Sequence, residues 1–123
     1  MITLVLYKPQ IPPNTGNIMR LCSNTGFQLH LIKPLGFRLD DKSLRRAKLD
    51  YFSNTEPIVF EDLDMYVKNT NIRNLIIITK FGKNKYTEAK FANNSVIIFG
   101  SETEGLPKNF IKKYENKTFR IPM

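Results

Sequence analysis

Cysteine and histidine are nearly absent from this chain, which has one of each, Cys22 and His30. A single cysteine excludes an internal disulfide, and the pair is too small a set for a zinc-type metal site. A lone histidine inside a strand pattern is more often structural than catalytic, which disfavours a Ser-His-Asp triad. We therefore expect no metal cofactor and a chemistry that uses other residue types.

Long apolar runs and acidic residues are also scarce. No stretch approaches the roughly 20 apolar residues that span a membrane, and no basic leader precedes the first apolar run. We therefore expect a cytoplasmic protein without a membrane partner. The chain has 11 Asp+Glu and 19 Lys+Arg, which give a formal net charge of +8. Such a balance favours a polyanionic partner. A low-GC genome whose proteins use many lysines would produce the same excess.

The apolar runs that are present alternate with helical patterns. The predicted strands lie at 2–7, 27–32, 74–79 and 95–100, with shorter candidates at 57–60 and 118–123. The predicted helices lie at about 15–25, 41–50, 61–69 and 107–114. Near-continuous Ile/Val/Phe runs are typical of parallel strands covered on both faces. The 123 residues therefore predict a single α/β domain with a mostly parallel sheet flanked by helices.

Three turn-rich segments follow predicted strands: "PQIPPNTGN" at 9–17, "TKFGKN" at 79–84 and "GSETEG" at 100–105. In parallel sheets, ligands bind beyond the carboxyl ends of the strands. The third segment matches only the first part of a phosphate loop, because Leu106 and Pro107 stand where Lys and Ser/Thr are required. No G-x-G-x-x-G occurs. The sequence therefore predicts a ligand site at this edge but neither of the usual nucleotide motifs.

The first predicted helix places Asn17, Arg20 and Asn24 on one face. An arginine flanked by amides suits phosphate or ribose oxygens. A solvated polar face, with Asn14 or Thr15 as the helix cap, would look the same. The predicted inward face holds Ile18, Leu21, Cys22 and Thr25.

The second predicted helix concentrates positive charge within two turns. Its basic residues are Lys42, Arg45, Arg46 and Lys48, and its inner stripe is Leu44, Ala47 and Tyr51. This arrangement suits contact with a phosphate backbone, and an ordinary solvated face would have the same pattern. Lys80, Lys83 and Lys85 add charge on a loop. Phe37, Phe52 and Phe81 lie near basic residues without forming an obvious stacking group.

The chain's resemblance to a known family rests on three segments in this order: "IPPNTGNIMRLCSNTG", "GSETEGLP" and "RIPM". It resembles the small SPOUT-class (α/β-knot) RNA 2′-O-methyltransferases, in particular the tRNA wobble-position cytidine/uridine ribose methyltransferases. The resemblance covers all 123 residues. It implies a trefoil-knotted fold, homodimers, S-adenosylmethionine as the methyl donor without a metal, and a tRNA ribose 2′-hydroxyl as the acceptor.

The same resemblance implies roles for individual residues. Cofactor contacts fall on Ile78, Thr79, Gly100, Glu102, Gly105, Ile121, Pro122 and Met123. Glu102 would either hold its loop by accepting main-chain N–H bonds or lie near the cofactor's amino group. Asn17 and Arg20 match the first family motif, in which the arginine faces the transferred methyl and helps the 2′-hydroxyl lose its proton. We favour an RNA phosphate or water as the final proton acceptor.

Family members continue past "RIPM" with a Ser/Asn-rich third motif and a final helix. The resemblance therefore implies that residues 1–123 form one SPOUT domain without its C-terminal motif and knot helix. Two alternatives stay open. The first is a non-catalytic RNA-binding module with an incomplete cofactor site. The second is an anion-binding domain for a small phosphorylated metabolite, which explains the glycine loops but explains the basic helix less well.

Overall fold

The computed structural model describes residues 1–42, 44–46 and 56–121. Its strands are β1 (Thr3–Tyr7), β2 (Gln28–Ile32), β3 (Ile58–Phe60), β4 (Leu75–Ile78), β5 (Asn84–Lys85), β6 (Val96–Phe99) and β7 (Thr118–Arg120). Its helices are α1 (Pro12–Thr25), α2 (Leu63–Lys68) and α3 (Lys108–Lys113). Short 3₁₀ turns lie at Ile72–Asn74, Tyr86–Glu88 and Glu115–Lys117. None of the described helices is long and apolar enough to cross a membrane.

The strands form one seven-stranded sheet in the order β3-β2-β1-β6-β4-β7-β5, and every pairing is parallel. Side chains alternate between its faces, as the pleat requires. One face carries the cluster Val5, Ile32, Ile77 and Ile98, covered by α2 and α3. The other carries Leu4, Leu29, Ile76 and Ile97, covered by α1. The predicted α/β fold with a parallel sheet is confirmed.

Helix α1 is rotated relative to the predicted inward face. Its buried residues are Thr15, Gly16, Met19 and Cys22. Leu21 is 45% exposed and Thr25 is exposed, so these two assignments were wrong. Met19 and Cys22 fill the sheet cluster, which turns Leu21 away because neighbouring helical positions differ by about 100°. The helix also begins earlier than predicted, at Pro12, because a proline in the first turn loses no hydrogen bond.

The loop that joins β4 to β5, residues 79–83, crosses β7; we name it the crossing loop. β7 lies between β4 and β5 in the sheet, so a connection this short must pass directly over the β7 backbone. A Cβ on Gly82 would collide with the carbonyl carbon of Phe119 and lie only 2.5 Å from the Arg120 amide nitrogen. A later strand that passes beneath an earlier loop is the arrangement a knotted fold requires.

Hydrogen bonds fasten the crossing loop to β7. The Arg120 guanidinium donates from Nη1 to the carbonyl oxygens of Gly82 (3.0 Å) and Lys83 (3.1 Å). In return, the Lys83 amide donates to Oγ1 of the fully buried Thr118 at 3.0 Å. The Asn84 side chain donates to the Thr118 carbonyl at 3.1 Å. The strand order at this edge, including the unpredicted β5, therefore depends on contacts about 35 residues apart in sequence.

Substituting Gly82 by alanine tests the crossing. The added methyl meets backbone atoms that cannot turn aside, so we expect Gly82→Ala to lower the free energy of unfolding by about 3 kcal/mol or more. Gly26→Ala is the control, because its φ of 79° strains an alanine while no atom lies within 4 Å of the new Cβ. That change costs about 1–2 kcal/mol. Urea unfolding measures both, and equal losses would contradict the close crossing.

Candidate functional site at the carboxyl edge of the sheet

Three neighbouring strands, β6, β4 and β7, end at the same edge of the sheet. The residues that this edge brings together are Ile78, Thr79, Gly100 and Ile121. Ile78 and Thr79 are half-buried, and Ile121 is 47% exposed. The predicted site residues Pro122 and Met123 lie outside the described part of the chain. The order of the sheet therefore gathers segments that are far apart in the sequence.

The segment from Gly100 to Gly105 closes on itself. The Ser101 amide donates to the Gly105 carbonyl at 3.1 Å, and the Gly105 amide donates to the Ser101 carbonyl at 2.9 Å. Gly105 has a φ of 68°, and a Cβ on Gly100 would lie 2.6 Å from the Gly105 carbonyl carbon. Both glycines are therefore required by the turn itself. The turn presents Glu102 at its tip.

Glu102 fastens this turn to the start of α1. Its carboxylate accepts from the Gln10 amide at 3.0 Å and from the Ile11 amide at 2.9 Å, across 92 and 91 residues of sequence. Ile11 is the N-cap of α1 and cannot cap with its side chain. A carboxylate beside a helix N-terminus also interacts favourably with the helix dipole. Of the two roles expected for Glu102, the structure shows the main-chain contact.

Hydrogen bonding keeps this carboxylate ionised. Desolvation alone would raise the pKa of Glu102, but hydrogen bonds from the Glu102, Gln10 and Ile11 amides and from the Asn14 side chain outweigh it. The net effect is a pKa below the ordinary value. Asn14, considered from sequence as a helix cap, therefore helps to hold Glu102 instead. Because Glu102 is far from Asn14 in the sequence, no local pattern reveals this hydrogen bond.

Arg20 and Asn17 lie together on α1. The Arg20 Nη1 donates to the Asn17 Oδ1 at 3.0 Å. Arg20 is half-buried, whereas Asn17 and Asn24 are exposed. The i, i+3 spacing that grouped the pair from sequence is therefore a real contact. The neutral Asn17 amide oxygen holds one side of the planar guanidinium group and does not neutralise its positive charge.

A cavity of about 180 Å³ connects α1 with the Gly100–Gly105 turn. Its lining residues are Leu6, Pro9, Asn14, Thr15, Ile18, Phe99, Gly100 and Glu102. The Thr15 hydroxyl is fully buried here and has no hydrogen-bond partner among the described residues. Pro9 and Thr15 lie in the segment 9–17 that the sequence placed at a ligand site, although neither was named as a site residue. Leu6 and Phe99 were not expected, and their positions near the ends of two predicted strands were the available signal.

The structure describes only some residues of the second predicted helix. Lys42, Arg45 and Arg46 are exposed and Leu44 is 2% exposed, as the predicted inner stripe requires. Lys48, Ala47 and Tyr51 lie outside the described residues.

The lone histidine and cysteine take structural positions. The His30 Nδ1 lies 2.6 Å from the Tyr66 hydroxyl, and desolvation lowers the pKa of this imidazole. Cys22 is fully buried beneath α1, and burial raises the pKa of its thiol to about 11. A thiol with this pKa is almost entirely protonated at neutral pH and is a poor nucleophile. In the described ranges no three His, Cys, Asp or Glu side chains could hold a metal together.

The parallel sheet and the loop that crosses β7 at its carboxyl edge agree with the SPOUT fold that the sequence resemblance implies. Comparison with known proteins gives the same class. The model of the SpoU rRNA Methylase family matches residues 1–123, and the chain belongs to that family. The recognised SPOUT resemblance is confirmed.

Relatives and solved structures agree with this assignment. The chain is 43% identical over 124 residues to the tRNA (cytidine(34)-2′-O)-methyltransferase of Escherichia coli (strain K12), covering 100% of this chain and 79% of that protein. A structure described as giving insights into the 2-OH methylation of C/U34 on tRNA matches with a TM-score of 0.87 and 34% identity. That match covers 100% of this chain and 80% of the other.

A more distant structure shares the fold. The SpoU methyltransferase AviRb from Streptomyces viridochromogenes, in complex with AdoMet, has a TM-score of 0.79 at 20% identity. It covers 98% of this chain and 48% of that one.

Replacing Glu102 by glutamine tests the link between the turn and α1. The pKa of Glu102 is lower in the folded than in the unfolded state. The ionised carboxylate therefore stabilises the protein at pH values above the unfolded-state pKa, and this stabilisation is lost as the pH falls through the folded-state pKa. We expect Glu102→Gln to be less stable than wild type by about 1 kcal/mol at pH 7, a value kept small because Glu102 is exposed. The difference should shrink below about pH 4.

Glu104→Gln is the matched control for this test. Glu104 is exposed, and no hydrogen bond to its carboxylate occurs among the described residues. Thermal unfolding from pH 3 to pH 8 compares the variants. A pH-independent difference for Glu102→Gln would show that the ionised carboxylate is not what joins the two segments.

Proposed function

We propose that this protein transfers a methyl group from S-adenosylmethionine to the ribose 2′-hydroxyl of a tRNA nucleotide, the cytidine or uridine at the wobble position. The observation that carries the proposal is the Glu102 link. It joins the helix bearing Asn17 and Arg20 to the glycine turn at the candidate cofactor edge. The similarity to a tRNA (cytidine(34)-2′-O)-methyltransferase, over 100% of this chain and 79% of that protein, supports the same activity.

The carboxyl edge has a suitable composition for the cofactor. Three half-buried apolar side chains lie side by side on neighbouring strands, where Ile78 pairs in register with Phe99 and with Phe119. Phe99 leads directly into the glycine turn, and we assign these three side chains to cover the adenosine. We assign the cofactor contacts to Ile78, Thr79, Gly100, Glu102, Gly105, Ile121, Pro122 and Met123. When bound, the cofactor supplies an electrophilic methyl group on its sulfonium. Because that methyl needs no metal activation, the protein's own residues have only to align the acceptor and stabilise its charge.

Arg20 is the residue we assign to the acceptor hydroxyl. A ribose hydroxyl is a poor nucleophile at neutral pH, so a fixed positive charge that stabilises the developing alkoxide speeds the reaction. A guanidinium serves this purpose because it stays protonated. The Asn17 Oδ1 accepts from Arg20 at 3.0 Å and orients it. An RNA phosphate or water takes the proton.

We infer that tRNA also contacts the basic residues Lys42, Arg45, Arg46 and Lys48. The three that are described and exposed flank the buried Leu44, so they share an outward surface. With a tRNA substrate, we expect the enzyme to act in the cytoplasm.

We further infer a homodimer. Two apolar side chains at α1, Ile11 and Leu21, are 40% and 45% exposed. A second copy would cover this apolar surface. Sedimentation of wild type and Leu21→Asp decides this point, because a variant that sediments as wild type would contradict the assignment.

Calorimetric titration of S-adenosylhomocysteine, followed by methylation of bulk tRNA, tests the proposed reaction. We expect saturable one-site binding and methyl transfer by the wild type. Arg20→Ala should bind S-adenosylhomocysteine normally while the methylation rate falls by about 100-fold or more. Arg73→Ala is the control, because it removes the same type of side chain near the opposite edge of the sheet. An Arg20→Ala protein with the parental rate would remove Arg20 from the mechanism.

A folded wild type that binds tRNA but no S-adenosylhomocysteine would support the alternative, a non-catalytic RNA-binding module.

The salt dependence of tRNA binding tests the basic residues. Removing one side chain that neutralises a phosphate should reduce the slope of log K against log salt by about 0.7–0.9. We therefore expect a shallower slope for Arg45→Gln/Arg46→Gln. Lys68→Gln/Arg73→Gln removes the same charge near the amino ends of the strands and should leave the slope unchanged. Equal slopes for both double variants would contradict the RNA contact.

A further inference from the structure

The tip of the crossing loop presents an exposed aromatic side chain beside the candidate cofactor edge. Lys80 and Phe81 are the central residues of a turn that the Gly82 amide closes by donating to the Thr79 carbonyl at 3.1 Å. Gly82 faces the β7 backbone, and the Phe81 side chain is 65% exposed. Thr79, two residues before Phe81, is one of the residues we assign to the cofactor.

The turn that carries Phe81 is held in place. The Phe81 amide donates to the Thr79 Oγ1 at 3.3 Å. On the other side, Arg120 donates to the carbonyl oxygens of Gly82 and Lys83. A ring on such a turn loses little main-chain freedom when it binds a ligand. The same ring buries little apolar surface within the described fold, so packing of this chain does not account for it.

Charge around the turn favours an anionic partner. Between Asp64 and Glu88 the sequence contains no carboxylate, and Lys80, Lys83 and Lys85 all lie on or directly after the crossing loop. The Lys80 ammonium lies 5.1 Å from the centroid of the Phe81 ring. No ion pair joins Lys80 or Lys85 to another residue of the described ranges. Aromatic rings set among lysines are typical of surfaces that bind single-stranded nucleic acid.

We propose that Phe81 is a stacking platform for an unpaired RNA base next to the methyl-transfer site, with Lys80 and Lys85 contacting the neighbouring phosphates. This inference rests on the proposed function. Bases in RNA loops are splayed out and stack on aromatic side chains, which paired bases cannot do. Holding the base fixes the attached ribose, so Phe81 acts as a positioning residue for the acceptor hydroxyl.

Binding of bulk tRNA to Phe81→Ala and Phe81→Tyr tests the platform. Phe91→Ala is the matched control, because Phe91 is 54% exposed on the segment that leads to the amino end of β6. We expect Phe81→Ala to weaken tRNA binding by about 5- to 100-fold, with the salt slope unchanged because every basic side chain is still present. Phe81→Tyr should bind within about twofold of wild type, since a phenol also stacks.

Four further outcomes distinguish a failure of the stacking platform from a failure of the proposed function. S-adenosylhomocysteine binding by Phe81→Ala should equal that of wild type, which also shows that the variant is folded. Wild-type methylation of tRNA together with equal tRNA affinities for Phe81→Ala and Phe91→Ala would overturn the platform and leave the proposed function standing. A wild type that neither binds nor methylates tRNA would overturn both. Loss of a dimer in Phe81→Ala, at unchanged RNA affinity, would assign the ring to a protein interface instead.

Discussion

The passage of β7 beneath the crossing loop is the constraint on which this structure depends. It places β7 between β4 and β5, so that the Thr79 amide donates to the Phe119 carbonyl at 3.0 Å, two residues before Ile121. The approach is so close that Gly82 has no room for a side chain. Arg120 and Thr118 then exchange hydrogen bonds with the loop. The candidate cofactor edge exists because these contacts hold three strand ends side by side.

The Glu102 carboxylate makes the second long-range connection. It replaces the missing side-chain cap of α1 and ties the glycine turn to the helix that carries Arg20. Desolvation opposes its ionisation, and the hydrogen bonds that the carboxylate accepts more than compensate. One charged group therefore sets the distance between the two halves of the candidate site. This explains why two glycines and a carboxylate follow a buried strand in a strongly basic chain.

Strand and helix identities were predictable because they depend on local apolar patterns. β1, β2, β4 and β6 lie where the sequence places them, and the contact of Asn17 with Arg20 follows from helical spacing. The rotation of α1 was not predictable, since Leu21 and Met19 are both apolar and only packing against the sheet selects one of them. Phe81 was visible as an aromatic near lysines, but its exposure on a fixed turn was not.

The sequence by itself determined the α/β class, the basic charge and the segments that end at the ligand edge, because hydrophobic periodicity and turn residues act over a few positions. Only the tertiary structure decided which strand ends are neighbours, and that Glu102 reaches Gln10 and Ile11. It also decided that the loop after β4 crosses β7. Those contacts join residues 35 to 92 positions apart, and no local pattern encodes a partner at that separation.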